Sequence, residues 1–183
     1  MSDHPEVKQV EQVHRDLLEQ WRVAMNLVGP GSTKIHFADS RAVARALKPS
    51  GRWADLGSGA GFPGVALAAW NPDVHVTLVE SRSKRAAFLR RVVKRSGLTN
   101  AEVFHGRVES LDPAQWDGLV SRAFAAPPAV LDHARRLLVP GGCVALMLAR
   151  EEVDPPDDFE LMAHLDYQAG GRERRLTTFS YKS

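Results

Sequence analysis

The run Asp55-Leu56-Gly57-Ser58-Gly59-Ala60-Gly61-Phe62-Pro63-Gly64 constrains this 183-residue chain more than any other part of it. A short stretch of strand character, Arg52-Trp53-Ala54-Asp55-Leu56, runs into the glycines, and residues 64–70 read as a helix after them. A strand that ends in closely spaced glycines and opens a helix is a nucleotide-binding turn. Glycine permits backbone angles that a Cβ forbids and lets the main chain come close to a ligand.

The pattern around this turn repeats its logic. Residues 74–79 form a β-branched strand followed by a helix over 84–95, and 102–105 form a third, weaker strand. Residues 118–121 are a fourth strand, followed by a helix over 129–138, and Pro140-Gly141-Gly142 turns the chain into the apolar run 143–148. Strands alternating with helices predict an α/β fold of Rossmann-like type, a mostly parallel sheet with helices on both faces. Ahead of it, Val10, Val13, Leu17, Trp21, Ala24 and Val28 fall near helical spacing up to the breaker Gly29-Pro30-Gly31. A second helical stretch covers 37–47. Residues 1–50 thus read as a helical extension and 51–183 as one compact ligand-binding unit. The acidic connector 151–158 is expected at the surface, and 159–182 as a last hairpin on the sheet edge.

Composition narrows the setting. The chain is 44% hydrophobic and 25% charged, as a globular domain is. No apolar run approaches the roughly 18–20 residues of a membrane span. The start, Met1-Ser2-Asp3-His4-Pro5, lacks signal-peptide character. A single cysteine, Cys143, agrees with a reducing cytoplasm and, within a predicted core strand, reads as packing. A monomer is expected. The net charge of +2 means that any nucleic-acid footprint must be local.

Gly59-Ala60-Gly61-Phe62-Pro63-Gly64 satisfies the dinucleotide pattern G-x-G-x-x-G, a weak signal alone. Three features favour S-adenosylmethionine instead. Asp55 would repel a pyrophosphate but suits an ammonium. Pro63 removes an N–H where a pyrophosphate needs donors. Little chain remains for a separate substrate domain. A nicotinamide or flavin cofactor and a purely structural glycine turn stay as alternatives. Glu80, about 20 positions after the turn, is placed to accept ribose hydroxyls, with helix capping as its plainer role. Val108-Glu109, after the third strand, lies where an adenine would sit.

Residues Asp55 to Gly64 resemble the cofactor loop of the ribosomal RNA small-subunit methyltransferase G family, also called glucose-inhibited division protein B; the Phe62-Pro63-Gly64 ending is its specific mark. Four further segments match in order: Trp21 with Asn26-Leu27; His36 with Asp39-Ser40; Ser81-Arg82-Ser83-Lys84-Arg85 with Phe88-Leu89; and Ser121-Arg122-Ala123-Phe124-Ala125. The resemblance implies a class I S-adenosylmethionine-dependent methyltransferase that modifies N7 of a guanine in 16S rRNA. It implies the small ribosomal subunit as partner and cofactor contacts at Gly57, Phe62, Val108, Glu109 and Arg122. Asp55, Gly59, Gly61 and Glu80 complete the expected cofactor set. One departure stands out. Where the family commonly has a lysine in an Ala-Leu-Lys-Gly-like run, this chain reads Ala145-Leu146-Met147-Leu148-Ala149-Arg150, with Arg150 the nearest cation. The departure leaves a relative that methylates another RNA or a small molecule, or a module that binds cofactor without turnover, as the other readings.

Guanine N7 has a free lone pair and no proton, so alignment rather than a general base is the chemical demand. Arg122, at the carboxyl end of a strand beside the glycine loop, is the candidate catalytic residue. Its fork suits a phosphate or guanine O6, and its structural alternative is an ion pair with Asp55 or Glu80. His36, Lys84, Arg85, Arg91, Arg174 and Arg175 are the candidate RNA contacts. Arg85 falls on the apolar side of its helix, which points to a specific partner.

Overall fold

The computed structural model describes residues 5–25, 27–29 and 33–182. Its strands arise where β-branched and small apolar residues run together: β1 Arg52–Leu56, β2 His75–Glu80, β3 Ala101–His105, β4 Trp116–Arg122 and β5 Leu138–Leu148. β1, β2 and β4 are buried almost end to end, as strands covered on both faces must be. The last two strands, β6 Phe159–Ala169 and β7 Arg172–Tyr181, form the expected hairpin.

All seven strands join one sheet in the order β3-β2-β1-β4-β5-β7-β6. The first five are parallel, and β7 lies antiparallel between β5 and β6. Strand order reverses between β1 and β4, the place where open α/β sheets leave a crevice for ligands. The glycine loop leaves β1 at that point. The fold is therefore the Rossmann-like α/β arrangement that the sequence implies.

Helices cover both faces. α1 Pro5–Met25, α2 Lys34–Ala46, α3 Gly64–Trp70 and α4 Ser83–Ser96 pack on one face, over Trp53, Val76, Leu78, Val120 and Ala145. α5 Pro127–Leu137 and a 3-10 turn at Val108–Ser110 pack on the other, over Ala54, Leu56, Leu119, Val144 and Leu146. Successive strand residues alternate between these two cores, which is the period-two geometry of a pleated strand.

Several boundaries shift from the sequence expectation. α1 starts at Pro5, since proline fits the first helical turn, and ends at Met25. β5 begins at Leu138, before the Pro140-Gly141-Gly142 turn, across a register irregularity between Trp116 and Gly118 of β4. Asn26, Pro30 and Gly31, which entered the sequence reading, lie outside the described residues. No helix among the described residues is long and apolar enough to cross a membrane.

Candidate active site

Two cavities open at the carboxyl edge of the sheet, on either side of Ala123. The first, about 350 Å³, is lined by Gly57, Glu80, Arg85, Val108, Glu109 and Phe124 among others. The second, about 370 Å³, is lined by His36, Asp39, Arg122, Met147, Leu148 and Arg174 among others. Ala123 borders both and holds a left-handed backbone, φ 54°, at the end of β4.

The glycine loop is locked by its own main chain. Ser58 N–H donates to Val79 O (2.9 Å), Gly61 N–H to Ser58 O (2.7 Å) and Ser58 Oγ to Asp55 O (2.9 Å). Gly57, Gly59 and Gly61 all have positive φ, and a side chain at Gly57 would strike the Phe124 ring, whose Cδ2 lies 2.5 Å from where a Cβ would stand. Only glycine meets both demands at position 57.

Asp55 lies beneath this loop, 1% exposed, and lines neither cavity. Its Oδ2 accepts from Gly64 N–H at the start of α3 (3.0 Å), while its Oδ1 is buried without a partner. Burial pushes its pKa up from 3.8 to about 6, against the Gly64 hydrogen bond and the Arg122 charge, which act the other way. Lying beneath the loop and away from both cavities, the carboxylate braces the start of α3 and is not placed to meet a ligand ammonium directly, as the sequence reading expected.

Glu80 is 5% exposed and does double service. Its Oε2 accepts from Gly59 N–H (3.0 Å) and its Oε1 from Arg82 N–H (2.8 Å), so the carboxylate is fixed on the cavity wall by main-chain donors. Each oxygen keeps lone-pair capacity for a ligand hydroxyl. At the far wall, Val108 and Glu109 begin the 3-10 turn, where the first N–H groups have no partner within the turn. Arg136 fixes that turn through Val108 O (2.7 Å) and Leu111 O (2.6 Å). A cavity with a fixed carboxylate at one end and free N–H groups with Glu109 at the other fits the ribose and adenine of S-adenosylmethionine.

Arg122 stands in the second cavity and does not line the first, which sets it on the acceptor side and apart from the cofactor contacts that the resemblance implies for it. Its Nη1 donates to His36 Nδ1 (3.2 Å) and to Asp39 Oδ2 (3.3 Å), and its guanidinium lies 5.2 Å over the Phe62 ring. The ion pair is therefore with Asp39, not with Asp55 or Glu80. Asp39, 6% exposed, also accepts from Tyr167 Oη at 2.6 Å. Burial, with the Arg122 charge beside it, lowers the pKa of His36, which keeps Nδ1 an acceptor. Tyr167 had no motif to mark it: it reaches Asp39 from 128 positions away.

Phe62 faces inward, 4% exposed, against His14, Phe37 and His36, and Gly59 and Gly61 likewise line neither cavity. Arg85 lines the first cavity, beside Gly59, which accounts for its place on the apolar side of α4. Lys84 and Arg91 are exposed on α4, Arg91 lying 5.7 Å from the Trp21 ring centre. Arg174 joins Arg122 in the second cavity. Arg175 does not: Asp166 grips its fork at 2.7 and 2.9 Å, and Glu152 adds a further pair. Met147 lies within β5 and lines the second cavity, whereas Arg150 pairs with Glu173 elsewhere. Burial pushes the Cys143 thiol up to about 11, so no thiolate is on offer. Among the described residues no His, Cys, Asp or Glu group has the arrangement to hold a metal ion.

Fold and site together define a class I S-adenosylmethionine-dependent methyltransferase. Solved structures of this class superpose on the chain: P. horikoshii TYW2 in complex with MeSAdo at TM-score 0.65 (14% identity; 84% of this chain, 65% of that one). A precorrin-6y C5,15-methyltransferase from Geobacter metallireducens does so at 0.57 (15% identity; 85% and 94%). Residues 8–160 match the family model of rRNA small subunit methyltransferase G, and the chain belongs to that family. Proteins named ribosomal RNA small subunit methyltransferase G from Paracoccus denitrificans and Rhodopseudomonas palustris are 37% and 38% identical to it, over 73% and 75% of this chain. The Stenotrophomonas maltophilia relative is 36% identical over 90% of this chain and 76% of its own. The aligned part covers 72% of the P. denitrificans relative and 66% of the R. palustris one, so the chain spans about two thirds of these relatives' length.

Proposed function

We propose that this chain methylates N7 of a guanine in 16S rRNA, with the small ribosomal subunit or its RNA as the partner, in the cytoplasm. The reading is carried by the Arg122–His36–Asp39 cluster on the wall of the second cavity, one residue of chain away from the cofactor cavity. When bound, S-adenosylmethionine supplies an electrophilic methyl group on a sulfonium.

In this reading Gly57, Glu80, Val108 and Glu109 hold the cofactor, and Asp55, Gly59, Gly61 and Phe62 shape the loop from below. Arg122, held by Asp39 and by a neutral His36, directs its remaining donors into the acceptor cavity. Guanine O6 sits beside N7, and a fixed guanidinium there orients the base while drawing no proton from it. The apolar wall of Val130, Leu146, Met147 and Leu148 excludes water and suits the face of a base. Met147, at the departure from the lysine that the family resemblance implies, supplies packing rather than charge, and Arg174 is the second cation of this cavity. From the helical extension, Ile35, His36 and Asp39 of α2 wall the acceptor side of the domain formed by 51–183.

The test is methyl transfer from labelled S-adenosylmethionine to undermethylated 30S subunits, to naked 16S rRNA and to a small-metabolite extract. Label at a guanine N7 of 16S rRNA is expected, falling roughly 100-fold in Arg122→Ala, the scale for removing one oriented donor. Cofactor affinity, measured by calorimetry, should change little in that variant. Label confined to metabolites would reject the ribosomal acceptor, and binding without any transfer would leave only a cofactor-binding module.

A further inference from the structure

The helical extension sets side chains on the glycine loop: His36 and Phe37 of α2 against the Phe62 ring, and His14 of α1 against both that ring and the main chain. His14 of α1 is 2% exposed, and its Nε2 lies 2.7 Å from Ala60 O. A carbonyl oxygen can only accept, so the ring is the Nε2–H tautomer and donates. Ala60 O is a loop carbonyl between two glycines of positive φ, Gly59 (55°) and Gly61 (91°), a backbone with no regular partner for it.

The ring does more than donate. It lies 4.8 Å from the Phe62 ring and 5.1 Å from that of Phe37, centre to centre. Its Cε1 and Nε2 stand 3.2 and 3.3 Å from the Cβ position of Gly61, so the imidazole rests directly on the loop's main chain. Phe62 in turn lies under Arg122. One buried imidazole therefore touches both the loop beneath the cofactor and the ring beneath the acceptor-side arginine. Burial lowers its pKa to about 4, and the ring stays neutral at physiological pH.

We propose that His14 is a positioning residue of the cofactor site: by donating to Ala60 O and bracing Phe62, it holds the glycine loop in its cofactor-receiving shape and makes α1 part of the binding machinery. The inference needs the cofactor but not the identity of the acceptor, so it stands or falls apart from the ribosomal reading.

Two substitutions separate the hydrogen bond from the packing. His14→Phe keeps a ring of similar size and loses the donor, whereas His14→Gln keeps an N–H donor at similar reach. Calorimetry with S-adenosylmethionine, alongside thermal unfolding, is expected to show about tenfold weaker binding in His14→Phe, or about 1.4 kcal/mol. His14→Gln should bind within about threefold of the parent, whatever its melting temperature. Parent-like affinity in His14→Phe, or losses in both variants that only follow their melting temperatures, overturns the proposal. Nitrogen-15 NMR of the histidine-labelled parent gives a readout that needs no variant to fold. The expected signature is a neutral Nε2–H ring whose proton exchanges slowly and shifts on titration with S-adenosylmethionine. An Nδ1–H tautomer, or a resonance indifferent to the cofactor, sinks it.

Discussion

Asp55 and His14 flank the glycine loop and titrate in opposite senses. Burial raises the Asp55 pKa from 3.8 to about 6 and lowers that of His14 from 6.5 to about 4. A raised carboxyl favours the folded state fully below pH 3.8, and that contribution is lost as pH rises through about 6. A depressed imidazole favours it fully above pH 6.5, and that contribution is lost as pH falls through about 4. Each is worth about 3 kcal/mol at most, from roughly two pKa units at 1.36 kcal/mol each. In the parent the two slopes oppose one another between about pH 4 and 6. Asp55→Asn removes one slope, so its stability relative to the parent should rise with pH across this window; His14→Gln should do the reverse. Urea denaturation at half-unit pH steps reads the differences directly, and pH-independent differences would refute both assignments. His14 was readable in part from the sequence, for it shares the apolar helical stripe of Val10, Leu17 and Trp21. Its acceptor, 46 positions away, was not, because nothing local in a chain announces which carbonyl a loop will leave unbonded.

Elements were more legible than their ends. Strands buried on both faces leave dense apolar runs, and the glycines of Asp55 to Gly64 mark the one loop that must bend sharply beside a ligand. Edges are harder: β6 is exposed along most of its length, so its place depends on pairing with β7 rather than on its own pattern. Contacts between elements were least legible of all, as Gly118 illustrates. It reads as an ordinary strand glycine, yet its Cβ position lies 2.1 Å from Trp53 Cε2, the indole of its partner on β1. Trp53 is 4% exposed and tied by Nε1–H to Ser50 O (3.1 Å), so it cannot step aside freely. Gly118→Ala is therefore expected to destabilise the domain by about 1–3 kcal/mol, the range for overpacking a closed core. Because the clash lies at the amino-terminal half of the strands, away from both cavities, S-adenosylmethionine affinity of the folded variant should match the parent. A midpoint in urea equal to the parent's would contradict the packing argument, and lost affinity in the folded variant would show that the β1–β4 spacing reaches the site.

Across the whole molecule the charges almost cancel, at 24 basic and 22 acidic residues, so affinity for RNA must come from where cations stand rather than how many there are. The acceptor cavity holds Arg122 and Arg174, but Arg175 is neutralised by Asp166 and Glu152, which weakens the hairpin as a phosphate track. The outer face of α4 carries Lys84, Arg90, Arg91, Lys94 and Arg95, all exposed, and the helix begins just past the Glu80 end of the cofactor cavity. A strand of RNA that delivers one base to the acceptor cavity would pass such a face with its phosphates outward. Phosphate contacts release counterions, and log affinity then falls linearly with log salt, by about 0.7 for each contact on single strands and about 0.9 on duplex. Replacing Arg90 and Lys94 together by alanine should weaken binding to 16S rRNA and flatten that slope by roughly 1 to 2. Neither residue lines either cavity, so S-adenosylmethionine affinity should stay at the parent value. Filter binding over a potassium chloride series measures slope and affinity together. Weaker binding with an unchanged slope would mean that the helix acts through shape rather than charge. An unchanged slope with unchanged affinity would move the RNA path off α4 altogether, leaving Arg122 and Arg174 as the cations that meet the acceptor strand.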